Sequence, residues 1–210
     1  AGCIDDASLD DSPSGEETAV VRILTYDIAA FSDSMFSTFT NQTGYEIEVV
    51  RADDAGGILE KLLQTKEAPQ VDLAIGLDNT YLQSALDFNL LQQHQTDVTM
   101  VSSTALEPYD GPFAVPFDRG DVCLNYDETR VDGENLTVPT SLWNLTEPEW
   151  NGVMAYPSPL TSSPGRAFMA ATIDYFENDG DNTTDAFDWW KAIAENGAIF
   201  TSGWTEAYET

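Results

Sequence analysis

From Ala19 to Leu86 the chain switches repeatedly between two hydrophobic periodicities. Ala19–Thr25 (AVVRILT) is a short β-branched run suited to a buried strand. Phe31, Phe36 and Phe39 follow at spacings that fit a helix stopping before Gly44. Tyr45, Ile47 and Val49 then alternate with Glu46 and Glu48, which predicts a second strand. Ile58, Leu59, Leu62 and Leu63 fall at helical spacing just behind Gly56-Gly57. Val71–Ile75 reads as a third strand, and Tyr81, Leu82, Ala85 and Leu86 as a third helix. This β-α-β-α-β-α order predicts an α/β fold with a parallel sheet and right-handed crossovers.

In such sheets ligands bind beyond the carboxyl ends of the strands, where loops enter helices. Those loops are Tyr26-Asp27, Asp53-Asp54 and Gly76-Leu77-Asp78-Asn79, so each presents a carboxylate at one edge. Three acids at one edge repel one another unless a cation or hydrogen-bond donors offset them. Asp is also a common helix N-cap, and each of Asp27, Asp54 and Asp78 has that alternative role. Together with Tyr26 they predict an aromatic and anionic pocket wall.

Beyond Ala114 the pattern changes. Phe113–Phe117 and Val122–Tyr126 read as two extended segments crossing into a second lobe, with Cys123 as a packed, inert thiol. A cleft between lobes is then the natural binding site. Thr161–Gly165 is polar, carries Pro164, and precedes the apolar run Ala167–Ala171. This is how a helix N-terminus offers amides and hydroxyls to an anion or polar ligand, and equally how a plain Ser-capped helix begins. Asp188-Trp-Trp-Lys191, with Phe187 and Ile193, reads as a core helix, and Asn178–Asn182 with Asp185 as a solvated acidic loop.

Charge narrows the choice of partner. The 210 residues carry 8 Lys+Arg against 37 Asp+Glu, a formal net charge of -29. Nucleic acid and anionic membrane surfaces are polyanions and are excluded as direct partners, leaving cations or a positively charged protein dock. Five Trp, eight Tyr and ten Phe set the chain apart from disordered acidic sequences. Two cysteines and the single His94, placed in a polar stretch as a solvated loop residue, rule out a His-based zinc site and a His-dependent triad within these residues. No cofactor or metal is expected. Ala1-Gly2-Cys3 looks like the end of a lipobox with Cys3 as the lipidated residue, followed by six acids and no base from Ile4 to Thr18. The expected organisation is an anchor and acidic tether over 1–18, a first lobe over 19–113 and a second over 114–210.

Four motifs are more specific. Thr25-Tyr-Asp27, Gly76-Leu-Asp-Asn79, Pro116-Phe-Asp118 with Gly120, and Gly203-Trp-Thr-Glu-Ala-Tyr208 are similar in order and spacing to the periplasmic thiamine-binding proteins of ABC importers. Trp143–Trp150 and Ser162-Ser-Pro-Gly165 resemble the wider class II solute-binding family, which includes ferric-iron and polyamine binders. The resemblance implies a two-lobed, monomeric, extracytoplasmic receptor, anchored to the membrane by lipid alone. Such a receptor closes on thiamine or its phosphates, delivers them to a permease and its ATPase, and is not an enzyme. By that likeness Tyr26 and Trp204 pack on the rings, with Tyr208 nearby. Asp54 faces the cationic or amino part, Ser162, Ser163 and Gly165 the hydroxyethyl or phosphate end, and Asp27, Asp78 and Asp118 complete the wall. Gly203 and polar Thr205-Glu206 place Trp204 in a loop. Family members continue past the Gly203–Tyr208 motif to complete the first lobe, so a C-terminal part is expected to be missing here. A polyamine or ferric iron is the alternative ligand, although iron calls for neighbouring tyrosines and no Tyr-Tyr pair occurs. A carboxylate hydrolase built on Asp27, Asp54 and Asp78 is the weaker alternative of another class.

Overall fold

The computed structural model describes residues 19–27, 29–109, 111–133, 136–178 and 185–210. Cys3, the acidic tether and most of the Asn178–Asp185 loop therefore lie outside the described residues. Strand β1 (Val20–Tyr26) is the centre of a three-stranded sheet, with β2 (Glu46–Ala52) on one side and β3 (Leu73–Ile75) on the other. Both pairings are parallel, with Ile23 opposite Val49 and Leu73. Its central position explains why Ile23, Leu24 and Thr25 are all buried: both edges and both faces are covered.

Three helices return the chain, and each starts on a capping side chain. Helix α1 (Asp33–Thr43) opens on Ser32, whose hydroxyl accepts from the Met35 amide, and ends at Gly44 in the left-handed region. Asp54 and Asp78 cap α2 (Ala55–Gln64) and α3 (Asn79–Asp87). Because these caps follow β2 and β3 within a few residues, both helix N-termini sit at the carboxyl edge of the sheet. Leu24, Ala52 and Ile58 form the core beneath that edge, with Tyr26 and Leu77 packed against it.

The chain then runs through the short helices α4 (Ser103–Leu106) and α5 (Glu128–Gly133) into a second layer. Strands β4 (Ala155–Pro157) and β5 (Ile199–Thr201) pair in parallel there. Helices α6 (Ser163–Asn178) and α7 (Ala186–Glu195) flank them, and α8 (Trp204–Glu209) follows β5. Trp189 is fully buried among Leu145, Trp150, Tyr156, Phe176 and Ile193. This second core shares no residue with the first. Polar side chains stitch its rim: Trp189 Nε1 donates to the Leu142 carbonyl at 2.9 Å, and Asn196 Nδ2 donates to the carbonyls of Leu145 and Glu147, each at 2.9 Å.

Three expectations fail between the layers. Residues 113–127 form no strand, and Cys123 is exposed rather than packed. An extended segment buries its backbone only against a ladder partner, and no strand among the described residues pairs with this one. Phe117, Leu124 and Tyr126 stay exposed in consequence. His94 is not simply solvated: Nδ1 accepts from the Thr96 amide at 3.1 Å, Nε2 faces the Ala114 carbonyl at 3.3 Å, and its own amide donates to the Pro112 carbonyl at 2.8 Å. These contacts staple the Gln92–Thr96 turn to the start of the crossing segment.

Replacing Trp189 by Ala should cost the second core about 3–5 kcal/mol, the range for deleting a fully buried indole. Urea unfolding followed by far-UV circular dichroism checks this; a loss below about 1 kcal/mol would mean that the ring is not the core's centre.

Candidate functional site

The carboxyl edge of the β1–β3 sheet faces the N-termini of α6 and α8 across an open cleft of about 2200 Å³. That exceeds the roughly 300–1,000 Å³ of an enclosed small-molecule pocket, so this is a groove open to water. Tyr26, Asp27, Asp54, Asp78, Asp118, Ser163 and Trp204 all line it. Ser162, Gly165 and Tyr208 do not.

On the first wall, the Tyr26 ring lies against Gly76. Gly76 has φ +107°, and a Cβ there would stand 2.5 Å from the Tyr26 ring, so glycine is required by both backbone and ring. Arg51, at the end of β2, shapes the same loop: its Nη1 donates to the carbonyls of Tyr26 (3.0 Å), Asp27 (2.8 Å) and Ala29 (2.9 Å). Nothing in the sequence pattern singles out Arg51; the one available signal is a rare base beside a run of acids.

The three edge carboxylates have different occupations. Asp78 Oδ1 accepts from the amides of Thr80 (2.7 Å) and Tyr81 (3.2 Å) and from the Thr80 hydroxyl, which makes it a helix cap that also borders the cleft. Asp54 uses both oxygens, Oδ1 on the Ala55 amide (2.8 Å) and Oδ2 on the Ser163 amide (3.1 Å), which belongs to the opposite layer. Asp27 is exposed. Among the described residues, no group of three acids, His or Cys is placed to hold a metal ion.

On the second wall, Ser162 and Gly165 are buried beneath the cleft. The Ser162 hydroxyl accepts from the Gly165 amide at 3.4 Å and its carbonyl from the Arg166 amide at 2.9 Å, which starts α6. A Cβ on Gly165 would fall 2.1 Å from the Pro157 carbonyl oxygen, so this glycine lets α6 pass directly over the end of β4. The buried Tyr156 hydroxyl donates to the Gly165 carbonyl at 2.6 Å, and burial pushes its pKa up, keeping it a donor.

Trp204 opens helix α8 rather than sitting in a loop, with Gly203 at its N-cap. Its ring stacks on Tyr208 at 5.1 Å and 13°, so Tyr208 reaches the site only through the indole. Glu206 closes the preceding turn by accepting from the Ser202 amide (2.9 Å) and hydroxyl (2.8 Å). Those two bonds, the amide first, hold its carboxyl below the usual range. Among the described residues, ten with carboxylates line the cleft against one guanidinium, Arg119, so the space between the walls is strongly anionic.

Comparison with known proteins fits this architecture. Over 90% of this chain, the thiamine-binding periplasmic proteins of Salmonella typhimurium and Escherichia coli are 27% and 26% identical to it. The chain spans 55% of their length. Among solved structures, iron-bound HitA from Pseudomonas aeruginosa superposes with a TM-score of 0.63 at 15% identity, over 91% of this chain and 58% of that one. The periplasmic binding protein AfuA from Actinobacillus pleuropneumoniae gives 0.62 at 18% identity, over 90% and 59%. The fold is thus the two-lobed periplasmic-binding-protein fold. The family model for bacterial extracellular solute-binding proteins matches residues 34–209, and the chain belongs to that family.

Proposed function

We propose that the chain is the ligand-binding part of an extracytoplasmic ABC-importer receptor that takes thiamine, or a thiamine phosphate, into the cleft between its walls. The observation that carries the reading is the pairing of two aromatic faces, Tyr26 and Trp204, with a wall of carboxylates in one open groove. Thiamine joins a permanent thiazolium cation to a flat aminopyrimidine, and such a ligand needs both. A cation over an aromatic face gains about 0.5–2 kcal/mol, more when desolvated. The relatives named as thiamine-binding support the same choice.

In this reading the lobes are residues 19–113 and 114–210. Tyr26 and Trp204 hold the rings, Tyr208 backs the indole, and Ser163 meets the hydroxyethyl or phosphate end. Asp27 and Asp118 tune the field, while Asp54, Asp78, Ser162 and Gly165 hold the walls that carry these groups. No bond is made or broken: ligand contacts from both walls favour the closed state, which the permease and its ATPase recognise. The receptor works as a monomer, tethered through an acyl chain on Cys3. A polyamine is the second reading, favoured by the carboxylates; its ammonium groups also gain from an aromatic face, but it has no flat ring to stack there.

Trp204→Ala should weaken thiamine binding about 5- to 30-fold, whereas Trp204→Phe keeps most of it. Equilibrium dialysis with labelled thiamine reads both; equal affinity in the wild type and Trp204→Ala would remove the indole from the site. The turn that presents Trp204 should also loosen in acid. The folded pKa of Glu206 lies below its unfolded value, so its contribution is complete above about pH 4.5 and is lost as pH falls through the folded value. The Ser202 amide resonance should therefore shift with a midpoint below that of an ordinary glutamate and stay flat in Glu206→Gln. A midpoint at or above the ordinary value would contradict the turn.

A further inference from the structure

Besides the Asp54–Ser163 hydrogen bond, a second contact joins the two walls behind the cleft. The guanidinium carbon of Arg166, in the first turn of α6, stands 4.3 Å from the centre of the Tyr81 ring on α3. Tyr81 is buried, and its hydroxyl lies 3.5 Å from the Leu160 carbonyl of the same opposite layer. Gly56 makes room for the approach, since a Cβ there would stand 3.1 Å from that hydroxyl. Neither Tyr81 nor Arg166 lines the cleft.

The position of Arg166 is otherwise hard to explain. A cation in the first turn of a helix faces the positive end of its dipole, which disfavours it there. Among the described residues it has no carboxylate within ion-pair distance, in a chain where acids outnumber bases several-fold. Its one strong partner is the face of a buried tyrosine across the lobe boundary.

We infer that Arg166 is a positioning residue. Its cation on Tyr81, together with the Asp54 carboxylate on the Ser163 amide, forms a latch that holds the two walls of the groove at a fixed placement before ligand arrives. Apparent affinity scales with the fraction of the chain whose walls are so placed, so a residue that never touches ligand tunes binding through this latch. The consequence for affinity rests on the receptor reading above; the latch itself does not.

The test uses the whole chain without ligand and reads amide hydrogen exchange by NMR. The Ser163 amide, which bridges the walls, should exchange about three- to tenfold faster in Arg166→Gln, while the β1 amides keep their rates. Arg166→Lys, which retains the cation, should fall between the two. An unchanged Ser163 rate would overturn the latch. So would a rise matched by the same factor in β1, because Arg166 would then be acting on the whole fold. Neither result depends on thiamine, so failure of the ligand reading is read separately, from binding.

Discussion

One carboxylate holds the site together. Asp54 stands where β2 hands over to α2, so its first oxygen is committed to starting that helix. Its second oxygen reaches the first amide of α6, a residue 109 positions later and on the other wall of the cleft. A carboxylate between two helix N-termini meets two positive dipole ends and two donors, which favours it at a partly buried position. One side chain thereby contacts both walls of the cleft.

Around this contact the cleft shows a division of labour. Aromatic and acidic side chains are among those that line its open space, and Ser162 and Gly165 lie buried just beneath it. Gly76 lets the Tyr26 ring lie flat, Gly165 lets α6 cross the end of β4, and Arg51 gathers three carbonyls under the β1 loop. An anionic groove concentrates cations before any specific contact forms. Specificity is then left to the shape and polarisability of the aromatic faces. This is the arrangement that a flat, cationic vitamin would require.

Much of this was legible in the sequence, for physical reasons that differ from part to part. The first three strands and helices follow from the switch between the two spacings of their apolar positions. Trp189 was legible as core because its neighbours fall at helical spacing. Residues 113–127 were not, since β-branched and aromatic runs report local preference while a strand also needs a distant partner. Gly165 looked like part of a ligand loop because Ser-Ser-Pro-Gly carries no trace of the Pro157 carbonyl that excludes a side chain there. Asp54 and Asp78 carried two roles in the sequence, cap and wall. Only their hydrogen-bond partners in the fold separate the bridge between the walls from the plain cap.

If this cleft recognises an aromatic cation, calorimetric titration of the chain with thiamine at moderate salt gives saturable one-to-one heat, with little or none from spermidine or ferric iron. Saturable heat with spermidine or iron and silence with thiamine would contradict it, leaving the two-lobed receptor fold with a different cargo.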